Sequence, residues 1–345
     1  VFTRAGYAWA GSTFRMGGVS VRTAAADTER LRGIFIDKFG QPKRVILHGQ
    51  SWGASVAARA AETTSSLYDG VLLTSGVLGG GSKSYDFRLD LRVVYQAVCA
   101  NHPRADEAQY PLWMGLPTAS QLTRAELSQR VNECTGVSKP AAQRSELQQK
   151  NLKTLLDVIR IPERSLIGHL AWGTWHFQDI VSKRLNGRNP FGNETVRYSG
   201  SAGDVALNAL VARYRADPQA QADFAADTDP SGLIAAPVLT LHGINDPVAF
   251  VELESAFRDT MVRAGTAGHL VQGFTDDNEH SYLSDAQYLA AIEALLKWID
   301  SGEKPDAAVL AQRCTKLDAR FEPATGCRFV PGYRPPSLAS RVPTR

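Results

Sequence analysis

An α/β chain is what the sequence predicts, and three observations predict it. Four short apolar runs of strand type, at 44–48, 69–76, 237–243 and 269–274, are separated by segments with helical spacing. The first run enters Gly49-Gln50-Ser51-Trp52-Gly53, which reads as a sharp turn joining strand to helix. The second and third runs lie too far apart for a simple connection, so an insertion separates them.

The elements follow in chain order. Residues 6–12 read as a strand next to the one at 44–48, and 24–39 as the intervening helix, with Leu31, Ile34, Phe35 and Ile36 giving its buried side. Gly40-Gln41-Pro42 ends that helix. In the turn, a serine between strand and helix brings neighbouring backbone very close, so the positions two before and two after it favour residues with little side chain. Gly49 and Gly53 meet that demand. The alanine-rich stretch 54–62 continues as a helix whose N-terminus favours developing negative charge.

Residues 79–82 (Gly-Gly-Gly-Ser) and 228–232 (Thr-Asp-Pro-Ser-Gly) read as the hinges of the insertion. Helical spacing marks 122–134, 143–159, 166–185 and 204–215 between them. Beyond the third run comes Asp246, and beyond the fourth a polar loop with His280, before a long amphipathic helix that begins near Ser284. The segment after Pro305 reads as an appended tail, and the domain boundaries expected are 1–81, 82–230, 231–301 and 302–345.

Ser51, Asp246 and His280 together suggest nucleophilic chemistry. A serine hydroxyl is a weak nucleophile unless a base takes its proton, and a neutral imidazole suits that task. An acid then holds the ring in one tautomer and stabilises the imidazolium. Asp276, Asp277 and Glu279 compete with Asp246, but they share the loop of His280 and are poorly placed to reach its far nitrogen. His48 and His242 read as histidines satisfied by backbone hydrogen bonds.

From the turn at 49–53, through Leu241-His242-Gly243-Ile244-Asn245-Asp246, to Glu279-His280 and the closing helix, the chain resembles the α/β-hydrolase superfamily. Asn189-Pro190-Phe191-Gly192-Asn193, the segment 213–218 and the ending 296–305 are similar to a group of bacterial, exported, capped members. The resemblance implies a mostly parallel sheet flanked by helices, with a large helical cap insertion. It also implies a serine hydrolase in which Ser51 attacks, His280 moves the proton, Asp246 orients it, and Trp52 N–H supports the oxyanion. Such proteins place several strands before the turn, and one of their loops supplies the second oxyanion donor. The sequence begins at Val1 and has room for one strand before the turn, so it is expected to be a fragment of a longer reading frame, with a processed form as the alternative, and the second donor is not visible in it. Loss of one donor costs on the order of a hundred- to a thousand-fold in rate, so these residues alone are expected to be inactive, whereas a longer form is expected to be a hydrolase.

Carboxylic ester cleavage through an acyl-enzyme is the first expectation, because esters need less leaving-group activation than amides. A peptidase or aminopeptidase-like amide hydrolase, acyl transfer, and a non-catalytic binding protein of the same fold are the alternatives. A carboxylate nucleophile of the dehalogenase kind is excluded by the serine at the turn. Candidate pocket residues are Gln50, Trp172 and Trp175, with Trp113 and Phe177 in the same aromatic group, although an aromatic cluster on a helix is more often core.

The formal charge is +3, with basic and acidic residues interspersed, and this gives no nucleic-acid or polybasic membrane signature. No stretch is long and apolar enough to span a bilayer. A small-molecule ester or short peptide is therefore the expected partner, with no cofactor and no metal; the sequence leaves the oligomeric state open. His169, His176 and Asp179 share a helix face, yet seven residues separate the histidines by about ten ångströms, too far for one ion. Asn193-Glu194-Thr195 matches a glycosylation sequon by chance. Cys99 with Cys134 and Cys314 with Cys327 is the simplest of three pairings, and four reduced thiols is the alternative. Two disulfides fit an exported protein, periplasmic or extracellular, although no signal peptide is visible.

Overall fold

The computed structural model describes residues 1–345 except Glu322. In chain order the main elements are α1 (Arg22–Phe39), β1 (Ile46–Gln50), α2 (Trp52–Thr63), β2 (Gly70–Thr74), α3 (Gly80–Cys99), α4 (Arg124–Thr135), α5 (Glu146–Ile159) and α6 (Leu166–Gln178). They continue as α7 (Asp204–Leu210), α8 (Pro218–Thr228), β3 (Val238–Gly243), α9 (Glu252–Arg263), β4 (Leu270–Thr275), α10 (Asp285–Ser301) and α11 (Ala307–Asp318). The chain divides into two compact units, residues 1–80 with 227–338, and residues 81–226 with 339–345.

In the first unit the four strands pair in parallel in the order β1-β2-β3-β4. Parallel strands are buried on both faces, which is why β2 and β3 are apolar almost throughout and fully buried. Their alternation still sorts side chains between two layers. Val71, Leu73 and Val238 join the alanines of α2 with Phe257 and Met261 of α9 on one face. Leu72, Leu239, Leu241 and Val271 meet Leu289, Ile292 and Leu295 of α10 on the other. The result is a parallel sheet flanked by helices on both faces, the arrangement that resemblance to the α/β-hydrolases implies. Small side chains at Ala54, Ala57, Ala58 and Ala61 bring α2 close against the sheet, and this fixes where its N-terminus points.

Several sequence expectations need correction. Residues 7–12 form no strand, so β1 is an edge of the sheet. Of its two large side chains, Tyr7 packs partly buried against the α10 cluster and Trp9 is 64% exposed, and the rest of the stretch offers only Ala, Gly and Ser. The Gly-Gly-Gly-Ser segment also opens α3, with Gly80 at φ +81 and packed against Asp229, and the division between the two units falls within it, after Gly80. The segment after 302 is more than a tail on a disulfide, because Leu310, Cys314 and Leu317 of α11 lie in the same apolar cluster as α10. The expected helix 204–215 ends at Leu210, and α8 follows separately.

In the second unit, α3 supplies Leu89, Leu91, Val93, Val94 and Tyr95 to the interior. At Gly173 α6 packs against it, and an added Cβ would sit in ordinary contact, 3.4 Å from Arg88. The helix expected over 166–185 is α6 followed by a π-helical turn, Asp179–Arg184. Disulfide Cys99–Cys134 ties the end of α3 to α4, and Arg345 returns the C-terminus to buried Asp90 at 2.9 Å.

Candidate active site

The turn after β1 is strained by design of the local sequence. Ser51 sits at φ +57 and ψ −125 between the last residue of β1 and the first of α2, a region that ordinary side chains avoid. Its backbone is held from both sides: the N–H donates to the Thr74 carbonyl at 3.0 Å, and its own carbonyl accepts from Ala54 and Val77 at 3.1 Å each. Gly49 is required by space, because a Cβ there would lie 2.2 Å from the Gly53 carbonyl oxygen. The reasoning for Gly53 does not carry over, as a Cβ at that position would meet nothing within 4 Å. The close approach is made by the backbone of Gly53 against Gly49, and it needs no side-chain loss at Gly53 itself.

Three residues expected to act together meet at this turn. His280 Nε2 lies 2.7 Å from Ser51 Oγ, and His280 Nδ1 lies 2.8 Å from Asp246 Oδ2. Asp246 follows the C-terminal end of β3, and its other oxygen accepts from the N–H groups of Val248 and Ala249 at 2.8 and 3.0 Å. With Nδ1–H donating to Asp246, Nε2 presents its lone pair to the serine hydroxyl. Two of the three rival acids are engaged elsewhere. Asp277 accepts from Arg328 at 2.6 Å and Gln287 at 3.0 Å, and Asp276 accepts from Asn245 at 3.0 Å.

The loop that carries His280 is tied down on both sides by the C-terminal segment. Asp276 N–H donates to the Arg328 carbonyl at 2.7 Å, and Arg328 pairs with Asp277. On the far side, Ser284 Oγ donates to the Gly326 carbonyl, and Ala286 N–H to Thr325 Oγ1 at 3.2 Å. The disulfide Cys314–Cys327 closes that segment on α11.

Behind Asp246 stands a charged pair that the sequence reading missed. His242 donates one N–H to the Ala249 carbonyl at 2.7 Å, but the other goes to the Glu254 carboxylate at 3.0 Å, not to backbone. Burial works against a charge on His242, yet the Glu254 hydrogen bond and charge, with Asp246 3.7 Å away and the Ala249 carbonyl, outweigh it and raise its pKa above 6.5. Glu254 also accepts from Thr240 and Gln272, both at 2.7 Å. A sequence signal did exist: Glu254 falls on the α9 face that carries Phe257 and Met261, where a carboxylate needs a buried partner.

The remaining expected site residues fall in different places. Gln50 is bound within the first unit, its amide donating to the Ser281 carbonyl at 3.2 Å and the Tyr288 hydroxyl at 2.5 Å. His48 is exposed and bonds the Thr74 hydroxyl at 3.2 Å, a side chain where backbone was expected. Trp52 opens α2 with its N–H at the helix start. Trp172 and Trp175 belong to the second unit, each under a guanidinium, Arg88 at 5.3 Å and Arg124 at 4.8 Å. Phe177 is buried and stacks on Phe191 at 4.1 Å, a core role. Among the described residues no group of three His, Cys, Asp or Glu side chains could hold a metal ion. His176 bonds Tyr85 at 2.7 Å, and His169 packs against Phe87 and Trp172. Asn193 is buried, with its amide donating to Tyr198 and Ala212, so the sequon has no free nitrogen to offer. No helix is long and apolar enough to cross a membrane among the described residues.

No family model and no curated protein matches the chain. Among solved structures it is similar to a monoacylglycerol lipase of Paleococcus ferrophilus (15% identity over 84% of this chain and 78% of that one, TM-score 0.31). A carboxyl esterase of Bacillus coagulans in complex with glycerol is 14% identical over 82% and 72% of the two chains, TM-score 0.34. An esterase of Rhodococcus sp. ECU1013 is 13% identical over 83% and 74%, TM-score 0.35. Superpositions this loose carry no chemistry to the chain, and its own side-chain geometry has to supply it.

Proposed function

We propose that the chain carries the catalytic core of a serine hydrolase that cleaves carboxylic esters through an acyl-enzyme. The observation that carries the reading is the hydrogen-bonded run Ser51–His280–Asp246 on a strained strand-to-helix turn. In the forward step, Ser51 Oγ forms a bond to the ester carbonyl carbon while its proton passes to His280 Nε2. The carbonyl electrons move to oxygen, where the Trp52 N–H at the start of α2 supports the developing charge. Collapse of that intermediate breaks the C–O bond, and the proton on His280 leaves with the alcohol. Water then repeats the sequence, with His280 taking its proton and returning it to Ser51 as the acid departs. Asp246 stays ionised throughout and offsets the imidazolium charge.

The substrate class follows from leaving-group chemistry: an alkoxide departs with less assistance than an amide nitrogen. Two disulfides favour an oxidising compartment, periplasmic or extracellular, as the place of work. The test treats the protein, as it stands and extended at its N-terminus, with a fluorophosphonate probe beside Ser51→Ala, then compares a matched ester and amide. Labelling that vanishes in Ser51→Ala with faster ester turnover supports the reading. No Ser51-dependent labelling of the folded, extended protein overturns it, and faster amide turnover replaces the ester by a peptide.

A further inference from the structure

Two backbone segments must keep one separation for Ser51, His280 and Asp246 to meet: the turn after β1 and the loop after β4. The C-terminal segment holds that loop at Asp276 and Asp277 on one side and at Ser284 and Ala286 on the other. His280 and Ser281 lie between those ties. Ser281 stands at φ +60, a region that residues other than glycine avoid. A conformation of that kind persists only where the surroundings over-determine it.

Gln50 reaches the loop from the side of the nucleophile. It is the last residue of β1, directly before Ser51, and its backbone is fixed by pairing with Thr74 of β2. A carbonyl can only accept, so the amide nitrogen of Gln50, not its oxygen, faces Ser281. That nitrogen has two protons to give and two acceptors in reach, the Ser281 carbonyl at 3.2 Å and the Tyr288 hydroxyl at 2.5 Å. The second bond aims the first. Tyr288 belongs to α10, whose first turn is fixed by its Ser284 cap, and its ring packs edge-on against His48 at 6.2 Å and Phe2 at 6.0 Å. With one proton engaged by so confined a partner, the amide plane is set and the other proton points at the carbonyl next to His280. A glutamine beside the nucleophile would otherwise read as lining a pocket, but this one has no N–H left to offer a substrate.

We propose that Gln50, oriented by Tyr288, is a positioning residue for His280: it pins the Ser281 carbonyl to the end of β1, so that Nε2 stays within reach of Ser51 Oγ while Nδ1 stays on Asp246. Its effect on reaction rate rests on the reading of Ser51 as nucleophile, whereas its hold on the imidazole does not.

Gln50→Met keeps the length of the side chain and removes both donors. The first readout is the tautomer of His280, from the nitrogen shifts of the full chain labelled with 15N-histidine at alkaline pH, the signal assigned by its loss in His280→Gln. A free imidazole favours the Nε2–H form, whereas the bond to Asp246 demands Nδ1–H. The parent is expected to hold the Nδ1–H form and Gln50→Met to show a mixture. The second readout is fluorophosphonate labelling, in the form of the protein that labels: the rate at saturating probe is expected to fall roughly tenfold or more, with the half-saturating concentration unchanged. Tyr288→Phe leaves the amide present but unaimed, moves both readouts the same way by less, and carries the test if Gln50→Met fails to fold. A folded Gln50→Met whose His280 stays in the Nδ1–H form as fully as the parent's overturns the proposal. So does a half-saturating concentration that rises at unchanged rate, which would make Gln50 a pocket residue. A parent without Ser51-dependent label, whose His280 still shifts in Gln50→Met, costs the hydrolase reading and upholds the hold.

Discussion

Two glycines that look equivalent in the turn Gly49-Gln50-Ser51-Trp52-Gly53 differ sharply in space, and substitution by alanine separates them. At Gly49 the added Cβ would lie 2.2 Å from the Gly53 carbonyl oxygen, 2.6 Å from its carbon and 2.8 Å from Ala54 Cα. Ordinary contact between such atoms is about 3.4 Å or more, so backbone must give way by roughly 1 Å. Both sides of that contact are pinned: β1 by its pairing with β2, and the start of α2 by the bonds of the Ser51 carbonyl to Ala54 and Val77. On the proposed role of Ser51, a displacement of that size costs about a hundredfold in reactivity. At Gly53 the Cβ enters open space inside a helix, where alanine is favoured over glycine by up to about 1 kcal/mol. The assay measures, in Gly49→Ala and Gly53→Ala, the rate of fluorophosphonate labelling and the thermal midpoint. Gly49→Ala is expected to lose about two orders of magnitude in rate and to melt earlier, and Gly53→Ala to keep its rate and melt no earlier. Equal losses in both variants, or a Gly49→Ala that labels at the parent rate, would refute the steric reasoning.

Breaking the buried His242–Glu254 pair by Glu254→Gln should destabilise the protein by about 3–5 kcal/mol near pH 6. His242 is raised above 6.5 in the folded state, so the pair's contribution is full below that value and declines as pH rises through the folded pKa; unfolding at pH 6 and pH 9 should show the variant's deficit shrinking, and a deficit that grows with pH would sink the assignment. Reducing the disulfides should cost on the order of 3 kcal/mol for Cys314–Cys327 and 4 for Cys99–Cys134, from their separations of 13 and 35 residues. Unfolding with and without reductant measures this, and unchanged midpoints would contradict it.

How much of this was legible in the sequence depends on whether the signal was local. Elbow, strands and the order Ser51, Asp246, His280 were readable because each is a short run with its own chemistry: an apolar run, a pair of glycines, an acid just beyond a strand. Helix α10 was readable from Ser284, whose side chain does accept from Gln287 N–H as a cap. Residues 6–12 misled because alternation in a Gly- and Ala-rich stretch says nothing about whether a neighbouring strand accepts its hydrogen bonds. Helix α3 was hidden behind three glycines that argue locally against a helix, a preference overridden by the burial of Leu89, Leu91 and Val94 further along. The clasp of Arg328 on Asp277 joins residues 51 positions apart, which no periodicity announces, whereas Glu254 of the buried pair stands on the apolar face of α9, a helical signal the reading passed over.

The ties between the C-terminal segment and the loop of His280 set the conformational entropy of that side chain. Left anchored only by β4 and α10, the span from Thr275 to Asp285 would wander, and the imidazole would meet Ser51 only in a fraction of its arrangements. The bonds at Asp276, Asp277, Ser284 and Ala286 shorten the free arc to the few residues around His280 itself. Closing cost grows with the logarithm of arc length, so most of the ordering is already done before substrate arrives. The covalent bond Cys314–Cys327 thus acts on His280 without touching it, as a hoop whose opening would slacken the histidine before the sheet felt the change.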